Sequence, residues 1–404
     1  MSFEVAPCAD LDEFGEAVFA VSQYFALEPN AERIERFAKN LPLERVHAAR
    51  ENGRIVGGAG AFPFEATVPG AVVRAAGVTV VGTSPTHRRR GVLRAMMRAQ
   101  LDDFHERGEP LAMLWASDER IYGRFGYGMA SLVGWPAVPR EAPFAVELEP
   151  RGQIRLVDRE EALELFPRVW DAVRPEIPGM LARSRDWWEY RVLFDAPDRR
   201  EGGGPKRLAV LETDDGPEGY AVYRHKPPTF AEGFPDGEVD AVEVVALDGA
   251  PTAQLWRFLL DIDLVVRITA RLLPVDHQLF HMLATPREMR FRLSDGLWVR
   301  LVDVGAALSA RTYGQDGTLV LDVSDAFCPW NEGRWKLEDG QAARTDSSAD
   351  LRCDVSVVAS VYLGAFAMSD LVRAGRAEEF TPGAARRADA LFAAERKPWC
   401  PEIF

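Results

Sequence analysis

The sequence predicts an α/β protein of mixed α+β character, organised in two or three domains. Three observations carry that prediction. The chain has 404 residues, too many for one ordinary hydrophobic core. Short β-rich runs alternate with segments of helical period. The order of elements in the first segment then recurs in a second one. Hydrophobic residues make up 47% and charged residues 27%, a globular balance that excludes disorder and fibres.

Taken in order, residues 11–25 and 31–41 read as amphipathic helices. Residues 45–51 and 54–64 read as strands joined by the turn Asn52-Gly53, the dipeptide of a tight hairpin. Residues 72–81 form a β-rich run. Residues 91–107 carry apolar side chains at Leu93, Met96, Met97, Leu101 and Phe104, a helical period. A short buried strand at 111–116 and a compact helix and turn at 118–127 follow. Residues 136–150 contain four prolines and read as a linker or edge connection. Helices are expected at 160–173 and around Trp187, Trp188 and Tyr190, and a glycine-rich loop at 199–206.

The second copy then runs through strands 207–213, 219–226 and 239–247 and a helix at 251–261. At the junction before its helix it reads Leu247-Asp248-Gly249-Ala250-Pro251 where the first copy reads Thr86-His87-Arg88-Arg89-Arg90-Gly91. The last segment brings strands at 298–304, 318–323 and 333–337, a strand leading into helices at 350–374, and a helix at 381–392.

The formal charge of −14 argues against surfaces that grip nucleic acid or anionic lipid. It suits a cationic substrate, and it equally suits plain solubility. Cys8, Cys328, Cys353 and Cys400 stand far apart, with no Cys-x-x-Cys pair and no flanking histidines. Neither a zinc scaffold nor a disulfide framework is expected, and a reducing cytoplasm fits best. His277 and His281 have the spacing of metal ligands on a helix, but no third ligand is apparent and their neighbours are apolar; no metal is expected. No signal peptide and no membrane span are read.

The run from Val78 to Arg94 carries the most chemistry. A strand leads into a basic loop that opens a helix, so loop amides and the helix N-terminus converge on one spot and favour an anion. The arginines add charge-assisted donors, and Gly91 lets a phosphate oxygen approach the backbone. Arg-Arg-Arg-Gly by itself is equally a basic helix cap facing solvent. Pro85, Arg88 and Gly91, however, match motif A of the GNAT acetyltransferases, Val-x-Pro-x-x-(Arg/Gln)-x-x-Gly-x-(Gly/Ala), which the run resembles; it departs at Leu93, where a small residue is usual. The resemblance implies acetyl-CoA as cosubstrate. Val81 and Thr83 would offer backbone groups to the pantetheine arm. Arg88, Arg89, Arg90, Gly91, Val92 and Leu93 would hold the pyrophosphate.

Tyr122-Gly123-Arg124-Phe125-Gly126-Tyr127 is similar to the Tyr-x-x-x-Gly-Phe element that follows strand five in the same family. There the phenol lies near the thioester sulfur, and its ordinary pKa of about 10 suits protonation of a departing thiolate. From the residues alone, Tyr122 is equally a packing tyrosine. The two elements together resemble the Eis (enhanced intracellular survival) branch along essentially the whole chain. That resemblance implies tandem GNAT folds followed by a sterol-carrier-like α/β domain, with boundaries at 1–140, 141–292 and 293–404, the second GNAT domain degenerate. Tyr362-Leu363-Gly364 and Ala374-Gly375-Arg376 fall in the helices of the third.

The chain ends Lys397-Pro398-Trp399-Cys400-Pro401-Glu402-Ile403-Phe404. Chain ends usually fray, but this one is apolar enough to dock. Read by itself it seals a seam; by the family resemblance the α-carboxylate of Phe404 is a general base that takes a proton from the amine. Glu402 is the acid nearest to it in sequence. The expected function is acetyl transfer to primary amines of cationic acceptors, aminoglycoside-like molecules or lysine ε-amines. The family resemblance implies a homo-hexamer; no nucleic-acid or membrane partner is expected. Two rivals remain open to the sequence: a narrow protein-lysine acetyltransferase, and a lipid- or ligand-binding protein with a vestigial acetyltransferase site.

Overall fold

Residues 3–22, 30–230 and 233–404 are described by a computed structural model. The chain divides into two units. The first contains Met1–Ser131, Gly296–Pro398 and Ile403–Phe404; the second contains Leu132–Asp295 and Trp399–Glu402.

The first unit begins with strand β1 (Glu4–Pro7), helices α1 (Leu11–Ser22) and α2 (Ala31–Ala38), and strands β2 (Val46–Glu51), β3 (Arg54–Val68) and β4 (Ala71–Thr83). Helix α3 (Val92–Glu106), strand β5 (Leu111–Trp115), the short helix α4 (Glu119–Tyr122) and strand β6 (Gly128–Met129) follow. The expected helix 11–25 is present to Ser22, and its last three positions lie outside the described residues. β1 to β4 are antiparallel neighbours, and β5 joins β4 in parallel. Strand Leu297–Leu301, expected at the head of the last segment, adds to the other edge of β5 and is flanked by β6.

That insertion follows from burial. Leu297, Val299 and Leu301 are fully buried, which asks for a central position in a sheet. Arg300 between them is also fully buried and is neutralised by Asp325 at 2.5 Å. Asn331 donates to the same carboxylate at 2.9 Å.

The two faces of this sheet have different cores. On one, Met97, Leu101 and Phe104 of α3 pack on Ala76, Val78, Ala112 and Leu114. Each fully buried large side chain of this kind contributes about 1.5–3 kcal/mol. On the other face, rings run in sequence from Phe14 on α1 through Phe37 on α2 to Phe62 and Phe64 on β3, with centroid separations of 6.1, 5.6 and 5.4 Å. The C-terminal part of the unit is a five-stranded sheet, in spatial order Gln341–Arg344, Gly333–Glu338, Leu319–Ser324, Leu351–Asp354 and Ala377–Glu379. Helices Val304–Ser309, Val355–Tyr362, Met368–Arg373 and Ala384–Phe392 accompany it.

The second unit carries a six-stranded sheet in the order Ala137–Pro139, Val265–Ala270, Gly237–Ala246, Gly216–Lys226, Arg207–Thr213 and Gln153–Leu156. The proline-rich stretch therefore supplies an edge strand, the position where a missing N–H costs least. Helix Arg159–Val173 starts from a capping box in which Asp158 and Glu161 satisfy each other's backbone amides. Trp187 and Trp188 are buried core residues, as expected.

Candidate active site

Strand β4 is interrupted where the chemistry was expected. Its register with β3 shifts between Gly58↔Gly82 and Gly60↔Thr79, so Val80 and Val81 together oppose Ala59. Val80 sits at φ +45°, a strained conformation for a β-branched residue. On the other side, the parallel ladder to β5 covers only Ala75–Gly77 against Leu111–Met113. Beyond Gly77 the two strands part, and residues 78–83 have no rung to β5. Val81 and Thr83, the two expected pantetheine positions, lie on that stretch.

The loop after β4 turns through Pro85–His87. Arg89 takes φ +60° and Gly91 φ +94°, and Gly91 is the N-cap of α3, with no side chain closing the helix end. A Cβ built on Gly91 would meet no protein atom within 4 Å. The glycine therefore answers to its backbone angle and to open space in front of the helix, not to a neighbouring side chain. The first intrahelical bond runs from the Ala95 amide to the Gly91 carbonyl, so the amides of Val92, Leu93 and Arg94 have no partner inside the helix. Val92 and Leu93 turn their side chains into the apolar clusters beneath. Leu93, the one departure from the motif, thus keeps its bulk away from the anion side. Arg88 and Arg89 are exposed. This cradle fits a diphosphate.

Arg90 has another tie. Its guanidinium bonds Glu51 on β2 at 2.5 Å, and His87 Nε2 lies 3.0 Å from the other oxygen of the same carboxylate. Burial pushes Glu51 up, but the hydrogen bonds and charges of Arg90 and His87 outweigh it and hold the group below its usual range. His87 and Arg90 brace the loop from behind.

Tyr122 ends α4, whose N-cap Asp118 accepts from the Arg120 amide. Its ring is buried in the cluster that holds Val78 and Met97, with Val81 and Leu93 packed against it. The structure thus gathers Val81, Leu93 and Tyr122 on the α3 face. Tyr127 meets Tyr122 edge-on at 5.9 Å. Burial pushes the Tyr122 phenol up to about 12, so it keeps its proton at neutral pH.

Phe404 lies on the opposite face. Its ring packs edge-on against Phe64, with centroids 4.9 Å apart, and a Cβ on Gly77 would collide with that same Phe64 ring at 2.1 Å. Gly77 carries the last β4–β5 rung. The C-terminal residue is therefore one ring removed from the point where the strands separate. Phe64 was not legible as the neighbour of Phe404, since nothing in its spacing marks it. Glu402 is not an open acid for a cation: it is buried against Arg183.

In the second unit the corresponding helix, Gly249–Leu260, begins differently. The Asp248 carboxylate accepts from the Ala250 amide at 3.0 Å and is paired with Arg151 at 2.8 Å. A built-in carboxylate occupies the end that an anion would otherwise use. His277 Nδ1 accepts from the Leu279 amide, and among the described residues no group of three or more potential ligands is placed to hold a metal ion. No helix among the described residues is long and apolar enough to cross a membrane.

Comparison with known proteins agrees with this geometry. Acetyltransferase (GNAT) domain models match residues 9–130 and again 179–301, and a sterol carrier protein domain model matches residues 304–401. An uncharacterized N-acetyltransferase of Streptomyces avermitilis is 44% identical over 359 residues, covering 86% of this chain and 87% of its own. The N-acetyltransferase Eis of Mycobacterium tuberculosis is 35% identical over 361 residues, covering 86% and 85%. The crystal structure of Eis1 from Mycobacterium abscessus superposes with a TM-score of 0.88 at 32% identity, over 99% of this chain and 100% of that one. Identity at this level along nearly the whole length, on tandem GNAT-like folds with a sterol-carrier segment, places the chain in the Eis branch of the GNAT N-acetyltransferases, enzymes that use acetyl-CoA to acetylate amines.

Proposed function

We propose that the chain acetylates primary amines of cationic acceptors, aminoglycoside-like molecules or lysine ε-amines, by direct attack. Bound acetyl-CoA supplies an activated acetyl thioester. Arg88, Arg89 and the amides from Gly91 to Leu93 hold its diphosphate, and the backbone of Val81 and Thr83 lines the pantetheine arm. The α-carboxylate of Phe404 takes the proton from the acceptor ammonium. The Tyr122 hydroxyl donates to the departing sulfur.

The observation that supports this reading most is the disposition of the two ends of the reaction. Tyr122 belongs to the α3 face, and Phe404 reaches Gly77 through Phe64 on the other face. A donor thioester seated where β4 and β5 part would have a proton donor on one side and a proton acceptor on the other. The charge of −14 favours cationic acceptors. The proposed domains are 1–140, 141–292 and 293–404. The middle one lacks a cofactor site because Asp248 covers its helix end, and the assembly is a cytoplasmic homo-hexamer.

The test is release of free CoA with a panel of polyamines, aminoglycosides, lysine peptides and uncharged amines. Cationic amines should exceed uncharged amines by about 10-fold or more in kcat/KM. Equal rates for both, or no amine above the rate of hydrolysis, overturn the proposal.

A further inference from the structure

The second unit holds a lysine amine that the chemistry above does not use. Lys206 closes the glycine-rich loop 199–206, immediately before strand Arg207–Thr213. Its Nζ donates to the Val192 carbonyl at 2.5 Å and to the Phe194 carbonyl at 2.9 Å. Val192 ends the helical segment Trp188–Val192, so its carbonyl is one that the helix leaves open. The neighbouring Asp195 directs its carboxylate to the Lys206 backbone amide at 2.9 Å and to Arg224 at 2.6 Å. The amine is thus held by two neutral carbonyls.

A cavity of about 270 Å³ adjoins Lys206, which forms its wall together with Leu156, Asp158, Arg159, Leu193 and Asp195. Pockets for drug-sized ligands run to about 300–1,000 Å³, so this one suits the acyl end of a thioester and not a nucleotide. Burial pushes the Lys206 ammonium down to about 8; Arg224 and Arg199 act in the same direction, and Asp195 and Glu243 oppose them. Roughly a quarter of a group at about 8 is neutral at pH 7.5, against about a thousandth of an ordinary lysine. A neutral amine has two N–H bonds and one lone pair. The two carbonyls take the two N–H bonds, so the lone pair is what remains for an electrophile.

We propose that Lys206 is a modification site, acetylated directly by acetyl-CoA that enters this cavity by its acyl end. The Nζ lone pair attacks the thioester carbonyl carbon, a C–N bond forms, the C–S bond breaks and the sulfur leaves as the CoA thiolate. The nitrogen gives one proton to water and the thiolate takes one back, so an amine and a thioester become an amide and a thiol. The product amide carries no charge and a single N–H, so one of the two carbonyls, Val192 or Phe194, loses its partner. The inference is independent of the roles given to Tyr122 and Phe404, since every group it uses lies in the second unit.

The test incubates the full-length wild-type enzyme with acetyl-CoA at pH 7.5 and follows acetylation of each lysine by peptide mass spectrometry. Lys39 is the reference, because it is exposed. Lys206 should acetylate at least about 10-fold faster than Lys39, the larger neutral fraction outweighing its narrower access. Its rate constant should not depend on enzyme concentration. The acetyl thioester of N-acetylcysteamine, which lacks the nucleotide, should label Lys206 as well as acetyl-CoA does. Acetylation ordered by exposure, with Lys39 ahead of Lys206, overturns the proposal. A rate constant that climbs with enzyme concentration assigns the transfer to the active site of another copy and overturns direct attack. Labelling by acetyl-CoA and none by the short thioester overturns entry by the acyl end.

Discussion

Tyr122 is a phenol held in an apolar cluster, and that setting defines what it can do. Burial pushes it up to about 12, so complete transfer of its proton to a thiolate is uphill while hydrogen bonding to a developing thiolate is favourable. Tyr122→Phe keeps the ring that packs on Val78 and Met97 and removes only the donor. kcat should fall by roughly 10²-fold, and the thermal shift produced by acetyl-CoA should persist. Because the group ionises only near 12, it should contribute no loss of activity between pH 7 and 10. Full turnover in the variant would assign proton delivery to water or another donor. The placing of Tyr122 and Gly91 at the ends of helices was legible in the sequence because each belongs to a contiguous motif. Glu51, which braces His87 and Arg90, was not: it lies on β2, and no local spacing links it to the loop. Phe64 was hidden for the same reason, as its contact with Phe404 joins residues far apart in the sequence.

At the scale of elements, α3 was expected at 91–107 and is found at Val92–Glu106, since its apolar period and glycine cap are both local. The bulge in β4 was not legible. Val80 has strong extended propensity, yet it takes a positive φ where the register with β3 shifts. The partnership of Leu297–Leu301 with β5 was likewise hidden, because strand pairing across some 180 residues leaves no local mark. The neighbouring strand β2 offers a test of the sheet's electrostatics. His47 is buried with Nδ1 unpartnered. Burial, opposed by Asp103 and aided by Arg107 and Arg45, lowers its pKa. A histidine with a lowered folded pKa binds fewer protons when folded than when unfolded, so stability rises with pH. Its contribution is complete above the unfolded value near 6.5 and is lost as pH falls below that toward the lowered folded value. His47→Leu should therefore flatten the drop in melting temperature between pH 7.5 and 5. A variant that keeps the full drop would place the acid sensitivity elsewhere.

At the scale of the whole molecule, the tandem architecture was legible because the same order of strands and helix recurs; the loss of the arginines before the second helix was legible too, while the capping of that helix end by Asp248 was not. The tail was legible only as apolar and dockable. Its contacts with Arg183 at Glu402 and with Phe64 at Phe404 were not legible, because those partners lie far away in sequence. If the Phe404 carboxylate is the base, its position depends on chain length as well as on the ring. Adding two residues moves the carboxylate by roughly 3.5 Å per residue, beyond hydrogen-bond reach of the acceptor amine, while the rest of the tail keeps its bonds at Trp399 and Glu402. A C-terminal extension should then cut kcat by about 10²-fold with acetyl-CoA binding intact. Phe404→Ala keeps the carboxylate and the bonds that Glu402 makes with Arg183 and Trp187 and loses only the edge-on contact with Phe64, so it should cost less, about 10-fold. A tail that merely covers apolar surface reverses that order, because the ring would then matter most and a polar extension beyond it would be tolerated. Measuring kcat for the two variants side by side decides between them: an extended enzyme at full turnover beside a crippled Phe404→Ala enzyme would remove the terminal carboxylate from the mechanism.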